Sequence, residues 1–187
     1  MREKADGMAL DPAKDDLLIL TDITDRQTGT ATKEQAHRSG LLHRAFSVML
    51  YRDAGDTREY LISRRADRKY HSAGLWANSC CSHPRSGENT IEAARSRVRE
   101  ELGCEAIDLT EIGAFVYRAG FPDGLCEYEY DHVLLGRQEG ILNPEPAEIS
   151  EVRWVSAETL SSLLSDSPEQ FAPWAFTVFS ITLMKNK

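Results

Sequence analysis

The chain has 187 residues and a mass of 21.0 kDa, which is the size of one ordinary globular domain. With 41% hydrophobic and 28% charged residues, its composition is typical of a soluble folded protein. Lys and Arg total 22 against 30 for Asp and Glu, so the formal charge is −8. This charge argues against a broad nucleic-acid-binding surface. We expect an anionic partner to be small and held by a few local basic residues, with a metal ion supplying further positive charge.

The four cysteines are too few for a disulfide scaffold, and none falls in a Cys-x-x-Cys spacing, which is the pattern of a reducing compartment. Residues 1–16 lack the apolar core of a secretory signal, and we predict that they form a disordered tail before a single domain over residues 17–187. The most apolar stretch, 171–184, is too short to cross a bilayer. The sequence therefore predicts a cytoplasmic protein without a membrane partner, either a monomer or a weak homodimer.

The predicted elements alternate between strands and helices along the chain. Short β-like runs predict strands at 17–20, 46–51, 60–63, 112–117, 128–135 and 152–155. Apolar residues recurring every three or four positions predict a helix between Asn89, a capping residue, and Gly103. A second helix is predicted to begin near Ser156, and a third to run from about Pro168 to Met184. This order predicts an α+β sandwich with a mixed sheet.

One predicted strand carries three acidic residues at alternating positions, Glu127, Glu129 and Asp131. Alternation places all three on one face of a sheet, with successive side chains roughly 6–7 Å apart. Buried carboxylates at this spacing repel each other unless a cation or a proton lies between them. The alternative is a solvated strand face, which needs no ligand.

Histidine gives an independent indication of a metal. His37 and His43 precede a predicted strand, and His83 follows Cys81 by two residues. Three imidazoles together with carboxylates make a transition-metal site if the three segments converge. Singly, each histidine has a structural explanation, and the two others, His71 and His132, are predicted to be structural.

The Cys81-x-His83 loop concentrates reactive side chains ahead of the Asn89 helix. The pKa of a thiol shifts readily with local charge, so Cys81 is a candidate proton donor or acceptor beside bound cations. Its neighbour Cys80 is interpreted as a small buried apolar residue. A disulfide between the two is not favoured in a cytosolic chain.

The helix after Asn89 resembles the last part of a Nudix box, whose acidic residues hold a divalent ion against a diphosphate. Glu100, Glu101 and Gly103 match the end of the box, and Glu88 falls at its first Glu position. Ser82 stands where the box has Gly, and Ser96-Arg97 where it has Arg-Glu. Because Arg97 replaces a metal-binding carboxylate, the resemblance favours diphosphate binding over diphosphate cleavage.

Over roughly residues 17–184, the sequence resembles the type I isopentenyl diphosphate isomerases of the Nudix superfamily. The matching segments are His37, Gly40–Val48, the Arg64-Arg65 pair, Trp76–Pro84, Glu100–Gly103, Glu127-Tyr-Glu129 and Pro173–Phe176. The resemblance implies a Nudix-like α/β/α sandwich with a mixed central sheet. It also implies the interconversion of isopentenyl and dimethylallyl diphosphate through a tertiary carbocation, by protonation at one carbon and deprotonation at another.

The resemblance assigns the proton transfers to Cys81 and Glu129, on opposite faces of the substrate, without deciding which of them protonates in the forward direction. It places Tyr117 beside Glu129 and Trp174 against the cation. One divalent transition metal, Mn²⁺ or Zn²⁺, is implied at His37, His43, His83, Glu127 and Glu129. Asp131 is left outside this set, at the rim of the site.

The resemblance also implies which residues bind the diphosphate. The basic residues are Lys33, Arg65, Lys69 and Arg97, and a Mg²⁺ held partly by Glu101 is expected to bridge the phosphate oxygens. The prenyl chain is expected to lie against Trp76 and Trp174, sheltered from water.

Two other functions remain open at this stage. A Nudix hydrolase cleaving a nucleoside or prenyl diphosphate would leave the Cys81-x-His83 loop idle and conflicts with Arg97. A non-catalytic metal-binding or redox-sensing module using Cys80 and Cys81 would leave Lys69, Glu101 and the two glutamates of the acidic strand without a purpose. Product identity and phosphate release separate these functions from isomerisation.

Overall fold

A computed structural model describes residues 17–69 and 71–185, and the predicted tail at 1–16 lies outside the described residues. The described residues form nine strands: β1 (Leu17–Thr21), β2 (Gln27–Thr32), β3 (His43–Ala54), β4 (Thr57–Arg65), β5 (Trp76–Ala77), β6 (Cys80–Ser82), β7 (Glu105–Gly120), β8 (Cys126–Glu139) and β9 (Ile149–Ser156). They also form four α-helices: α1 (Lys33–Ser39), α2 (Thr90–Leu102), α3 (Ala157–Asp166) and α4 (Ala175–Lys185).

The predicted helix after Asn89 is confirmed as α2, and its ends follow from local chemistry. The Asn89 side chain accepts hydrogen bonds from the backbone N–H groups of Ile91 and Glu92, satisfying two donors of the first turn. Gly103 ends the helix in the left-handed region at φ 65°. A side chain there would be strained, and its Cβ would lie 2.8 Å from the carbonyl oxygen of Asn143.

Strand β3 is the centre of the mixed sheet. Along one edge it pairs in parallel with β8, and along the other it pairs antiparallel with β6 and then with β4. The hairpin of β1 and β2, the long β7–β8 pair and the β4–β9 pair are all antiparallel. Because other elements pack on both faces of the sheet at β3, its apolar run is buried rather than half-exposed.

The helices cover both faces of this sheet, which confirms the predicted α/β/α sandwich. Phe46, Val48 and Leu50 of β3 face α2 in one core. Between them, Met49 faces a second core that includes residues of α3 and α4 and Val133 of β8. The acidic positions of β8 have the parity of Val133, so they point toward the α4 side of the sheet.

The C-terminal prediction was wrong in part, because the predicted helix from about Pro168 to Met184 is interrupted. A 3-10 turn occupies Pro168–Gln170, and Phe171 then bridges Trp76 in an extended conformation before α4 begins. Pro173 lacks a backbone N–H and disfavours helical geometry in the residue before it, which explains the interruption. Within residues 17–69 and 71–185, we find no helix with the length and apolar character needed to span a membrane.

Candidate active site

The candidate site lies at the N-terminal ends of the parallel strands β3 and β8, where His43 is paired with Glu129. On the other edge of β3, Ser47 is paired with Cys81 of β6. Because paired residues share a face of the sheet, the thiol of Cys81 and the carboxylate of Glu129 lie on the same face, on either side of β3. A pocket opens over this face.

Most of the candidate residues identified from the sequence line this pocket. Its walls include Lys33, Arg65, Lys69, His71, Cys81, His83, Arg97, Tyr117, Glu127, Glu129 and Trp174. His37 and His43 are buried behind its wall. Trp76 does not line it, contrary to prediction, since its ring packs in the core shared with α3 and α4 and is covered by Arg153 at 4.5 Å.

The three predicted histidines converge from α1, β3 and the segment after β6. Their ring centroids are 5.1 Å apart for His37 and His43, 4.9 Å for His43 and His83, and 5.7 Å for His37 and His83. A ring nitrogen of each, with a carboxylate oxygen of Glu127, forms a group whose atoms all lie within 4.8 Å of one another. Three imidazoles and a carboxylate are a donor set suited to a divalent transition metal.

Burial prepares these imidazoles to act as ligands. It lowers the pKa of His37 to about 3 and those of His43 and His83 to about 4, so all three are neutral near pH 7. Nδ1 of His43 lies 2.8 Å from the carbonyl oxygen of Leu41. Donation to that carbonyl fixes the proton on Nδ1 and leaves the lone pair of Nε2 directed into the cluster, so the donor set fits a metal ion.

Glu127 and Glu129 reach the cluster from β8, both largely buried. Oε2 of Glu127 lies 3.3 Å from Nε2 of His37, and Oε1 of Glu129 lies 2.8 Å from Nε2 of His83. The predicted one-face alternation is therefore confirmed, and a solvated strand face is wrong. Asp131 was also wrongly predicted to lie at the rim: it is 1% exposed because β3 and β7 enclose β8, and its Oδ2 accepts a hydrogen bond from Ser47 Oγ at 2.7 Å.

The two glutamates have opposite pKa shifts. Burial alone would raise the pKa of Glu127, but the hydrogen bond from His71 and the nearby imidazoles lower it well below its usual range. Burial and the charge of Glu127 raise the pKa of Glu129 well above its usual range. The hydroxyl of Tyr117 donates to Oε2 of Glu129 at 2.6 Å. Glu129 is thus a carboxyl group that can hold or release a proton at this position.

The two adjacent cysteines have different surroundings. Cys80 is paired with Val48 and packs in the core against α2, whereas Cys81 is paired with Ser47 and faces the pocket. Both are free thiols, and their positions on opposite faces of β6 argue against a disulfide between them. Burial raises the pKa of Cys81 to about 12, so it carries its proton in the substrate-free protein.

Trp174 is held at the pocket by a hydrogen bond from its Nε1 to Oδ1 of Asn78, at 3.1 Å. The guanidinium carbon of Arg65 lies 5.2 Å from the centre of the Trp174 ring, within the range of a cation–π contact. Tyr117 lies beside the same indole, with ring centroids 6.2 Å apart. Trp174 can therefore present aromatic surface to a cationic centre.

At the other end of the pocket, basic and acidic residues form a linked set of ion pairs. Nε of Arg97 donates to Oε1 of Glu101 at 2.6 Å, and its Nη2 lies 3.3 Å from Oε1 of Glu148. Lys69 pairs with the other carboxylate oxygen of Glu148. The predicted cations Lys69 and Arg97 are thus brought together beside Glu101, and two negative carboxylates hold them in place.

The sequence did not indicate three residues that are candidates for a functional role. His71 was taken as structural, yet its Nε2 lies 2.7 Å from Oε1 of Glu127. Neither residue type nor spacing in the sequence indicated a role for Glu148 or Asn78, because the role of each depends on the residues that the fold places next to it. Asn78 was visible only as a member of the motif segment that also contains Cys81.

Comparisons with known proteins show the family. The NUDIX domain family matches residues 41–176. An isopentenyl-diphosphate Delta-isomerase of Photobacterium profundum is 45% identical over 159 residues, covering 84% of this chain and 88% of the relative. One from Serratia proteamaculans is 41% identical over 164 residues, covering 88% of this chain and 89% of the relative.

Solved structures share the fold at lower identity. A crystal structure of a Deinococcus radiodurans protein superposes with a TM-score of 0.69 at 22% identity, covering 88% of this chain and 98% of that one. A MutT protein from Methanosarcina mazei superposes with a TM-score of 0.61 at 18% identity, covering 78% and 96%. These structures support the fold alone. The family match and the two relatives described above show to which family the chain belongs. The chain belongs to the isopentenyl-diphosphate Delta-isomerase family, within the NUDIX-domain proteins.

Proposed function

We propose that the protein interconverts isopentenyl diphosphate and dimethylallyl diphosphate by moving a proton onto one carbon and another proton off a second carbon. The observation that carries this proposal is the placement of Cys81 and Glu129 on the same face of the sheet, lining one pocket that also holds basic residues. A thiol and a carboxyl group so placed can exchange protons with opposite sides of a five-carbon chain.

In the forward direction, one of these two groups gives its proton to the terminal alkene carbon of isopentenyl diphosphate, and positive charge develops on the tertiary carbon. The other group accepts a proton from the methylene next to that carbon, and the C–H electron pair forms the new double bond. No electrons are gained or lost overall. Because the reaction is reversible, the roles of Cys81 and Glu129 exchange with its direction, and either assignment balances.

Two neighbouring residues support these steps. The hydroxyl of Tyr117, which donates to Glu129 at 2.6 Å, can fix the orientation of the carboxyl group and relay its proton. The indole of Trp174 lies where its face can attract the tertiary cation, a contact worth roughly 0.5–2 kcal/mol. Packing of these rings also keeps water from reaching the cation.

We assign His37, His43, His83, Glu127 and Glu129 to one divalent transition metal, Mn²⁺ or Zn²⁺. Such an ion, when bound, supplies the positive charge that lets two neighbouring carboxylates remain anionic. The residues themselves supply neutral imidazole nitrogens from three separate elements, and Glu129 contributes one oxygen to this cluster while the other accepts from Tyr117.

We assign the diphosphate to Lys33, Arg65, Lys69 and Arg97, with a Mg²⁺ held partly by Glu101. All four basic residues line the pocket, and Arg97 already contacts Glu101 at 2.6 Å, so cation and carboxylate lie at the same end. Arg97 stands where the hydrolase box has a metal-binding glutamate, which favours holding the phosphates over cleaving them.

An assay in D₂O tests this function directly. The purified protein, supplied with Mn²⁺ or Zn²⁺ and with Mg²⁺, is incubated with isopentenyl diphosphate, and NMR follows the carbon skeleton while a colorimetric assay follows phosphate. We expect dimethylallyl diphosphate carrying deuterium and no released phosphate.

The same assay separates the alternatives. Phosphate release without the isomer supports a NUDIX hydrolase and contradicts our proposal. No reaction from either isomer, together with reversible oxidation of the cysteines, supports a redox sensor. The sensor is disfavoured by Cys80 and Cys81 lying on opposite faces of β6.

We also propose that residues 17–187 act as a single domain, in the cytoplasm, as a monomer or weak homodimer without nucleic-acid or membrane partners. Four free thiols and a charge of −8 support this setting. Light scattering and thermal unfolding test it: a stable higher oligomer or two separate unfolding transitions would contradict it.

A further inference from the structure

His71 lies in the loop between β4 and β5, and it is 9% exposed. We propose that it is a positioning residue, which orients the carboxylate of Glu127 toward the histidine cluster and links that cluster to the substrate pocket. This inference rests on the proposed function, since it takes Glu127 to be a metal ligand.

The two oxygens of Glu127 face different partners. Oε1 lies 2.7 Å from Nε2 of His71, whereas Oε2 lies 3.3 Å from Nε2 of His37 and 3.7 Å from Nε2 of His43. A carboxylate held at one oxygen by a buried donor has a fixed plane, and its other oxygen stays directed into the cluster. Hydrogen-bonded partners of this kind are known to tune metal ligands from outside the ligand set.

The surroundings of the His71 ring determine which nitrogen carries the proton. An anionic carboxylate only accepts, so Nε2 must be the donor toward Glu127. Nδ1 lies 3.3 Å from Oγ of Ser72, whose hydroxyl can donate to it. One neutral tautomer of His71 therefore fits both contacts, and the ring needs no net charge to hold Glu127.

His71 also contacts Phe121 and two residues that line the pocket, Trp174 and Arg65. Its ring stacks on Phe121 at 4.5 Å and meets the edge of Trp174 at 5.8 Å. Its backbone carbonyl accepts from Nη2 of Arg65 at 3.2 Å. His71 thus contacts Glu127, which is a proposed metal ligand, and Arg65, which is a proposed diphosphate ligand. It also contacts the rings of Phe121 and Trp174, so displacing His71 affects all of these residues.

Two substitutions separate the hydrogen bond from the packing. His71→Phe keeps a ring that can stack on Phe121 but removes the donor, whereas His71→Gln keeps an N–H donor and removes the ring. We expect His71→Phe to weaken Zn²⁺ binding, measured by competition with a chromophoric chelator, by about 10–100-fold. His71→Gln is expected to stay within a few-fold of the unchanged protein, and so is the control His132→Gln, which alters a histidine outside the pocket.

Unchanged Zn²⁺ affinity in His71→Phe would overturn the proposal, and a loss confined to His71→Gln would assign a packing role instead. An equal loss in both variants would overturn it as well, because the N–H donor kept by His71→Gln would not preserve the affinity. Long-range ¹H–¹⁵N NMR of the unaltered protein gives an answer even if a variant fails to fold: the proton must be on Nε2 of His71, and a bare Nε2 refutes the proposal. Both readouts are independent of turnover. Failure of the D₂O assay alongside these results would therefore contradict the reaction and leave the positioning role intact.

Discussion

The two ends of the pocket hold charge in different ways. At the imidazole end, His37, His43, Glu127 and Glu129 are buried and the side chain of His83 is 10% exposed. Backbone and side-chain hydrogen bonds hold several of these groups in place. At the cationic end, Lys69 and Arg97 are only partly buried and are held by the carboxylates of Glu101 and Glu148. The first end is therefore nearly closed to solvent, whereas the second is partly exposed.

This difference fits the two tasks of the proposed reaction. Proton transfer to an unactivated alkene requires groups held in one geometry in a dry environment, where electrostatic interactions are strong. A diphosphate must enter and leave in every turnover, and partly exposed ion pairs rearrange at low cost because each contributes only about 0–1 kcal/mol. We therefore expect changes at the buried end to affect the chemical step and changes at the partly exposed end to affect binding.

The largest effect is expected from removing either of the two proposed proton-transfer groups. Cys81→Ala and Glu129→Gln should each lower kcat by about 10²–10⁴-fold, the usual contribution of a positioned acid or base. Thermal unfolding should show that both variants are folded. Cys126→Ala is the matched control, since Cys126 is also a partly buried free thiol but does not line the pocket. Near-normal rates in Cys81→Ala or Glu129→Gln would remove that residue from the mechanism.

A smaller effect, on binding, is expected from Arg97→Gln. Loss of charge-assisted hydrogen bonds worth about 1.5–3 kcal/mol should raise KM for isopentenyl diphosphate by about 10–100-fold, with a smaller change in kcat. Arg99→Gln is the control on the same helix, because Arg99 is exposed, pairs with Glu105 and does not line the pocket. A drop in kcat without a change in KM would contradict the division between the two ends.

Removing the transition metal should affect stability at the buried end. Dialysis against a chelator, followed by restoration of Mg²⁺ alone, should leave Tm roughly 5–10 °C below that of protein saturated with Mn²⁺ or Zn²⁺ at about 100 times Kd. Differential scanning calorimetry measures this shift. If Mg²⁺ alone restores the full Tm, the cluster of imidazoles is not a transition-metal site, because Mg²⁺ prefers oxygen ligands.

The smallest effect expected is the response to salt. Between about 0.1 M and 1 M salt the Debye length falls from about 10 Å to about 3 Å, so KM should rise a few-fold because the cationic end is partly exposed. Affinity for the transition metal should change much less, since its ligands are buried. Steady-state kinetics and chelator competition at matched salt concentrations test this. An equal salt response of KM and of the metal affinity would contradict the difference between the two ends of the pocket.

Much of this fold was predictable because it follows from local chemistry. Asn89 and Gly103 define α2 through capping and a left-handed backbone, both of which depend on residue type. The alternation of Glu127, Glu129 and Asp131 predicted a shared face, since side-chain direction in a strand has a period of two. The C-terminal helix was predicted too long even though Pro173 disfavours a helix locally. The extended conformation of Phe171 before α4 also includes a pairing with Trp76, which is not local.

The sequence by itself determined the inventory of the site: three histidines, the acidic strand, the Cys81 loop and a set of basic residues near a Nudix-like helix. Only the tertiary structure decided how these residues are paired. The register of β3 with β6 and β8 places Cys81 and Glu129 on one face of the sheet, on either side of β3. The fold also buries Asp131 and brings His71 from the loop between β4 and β5 against Glu127. Such contacts join residues that are distant along the chain, and their energies depend on burial and distance, which a one-dimensional pattern does not contain.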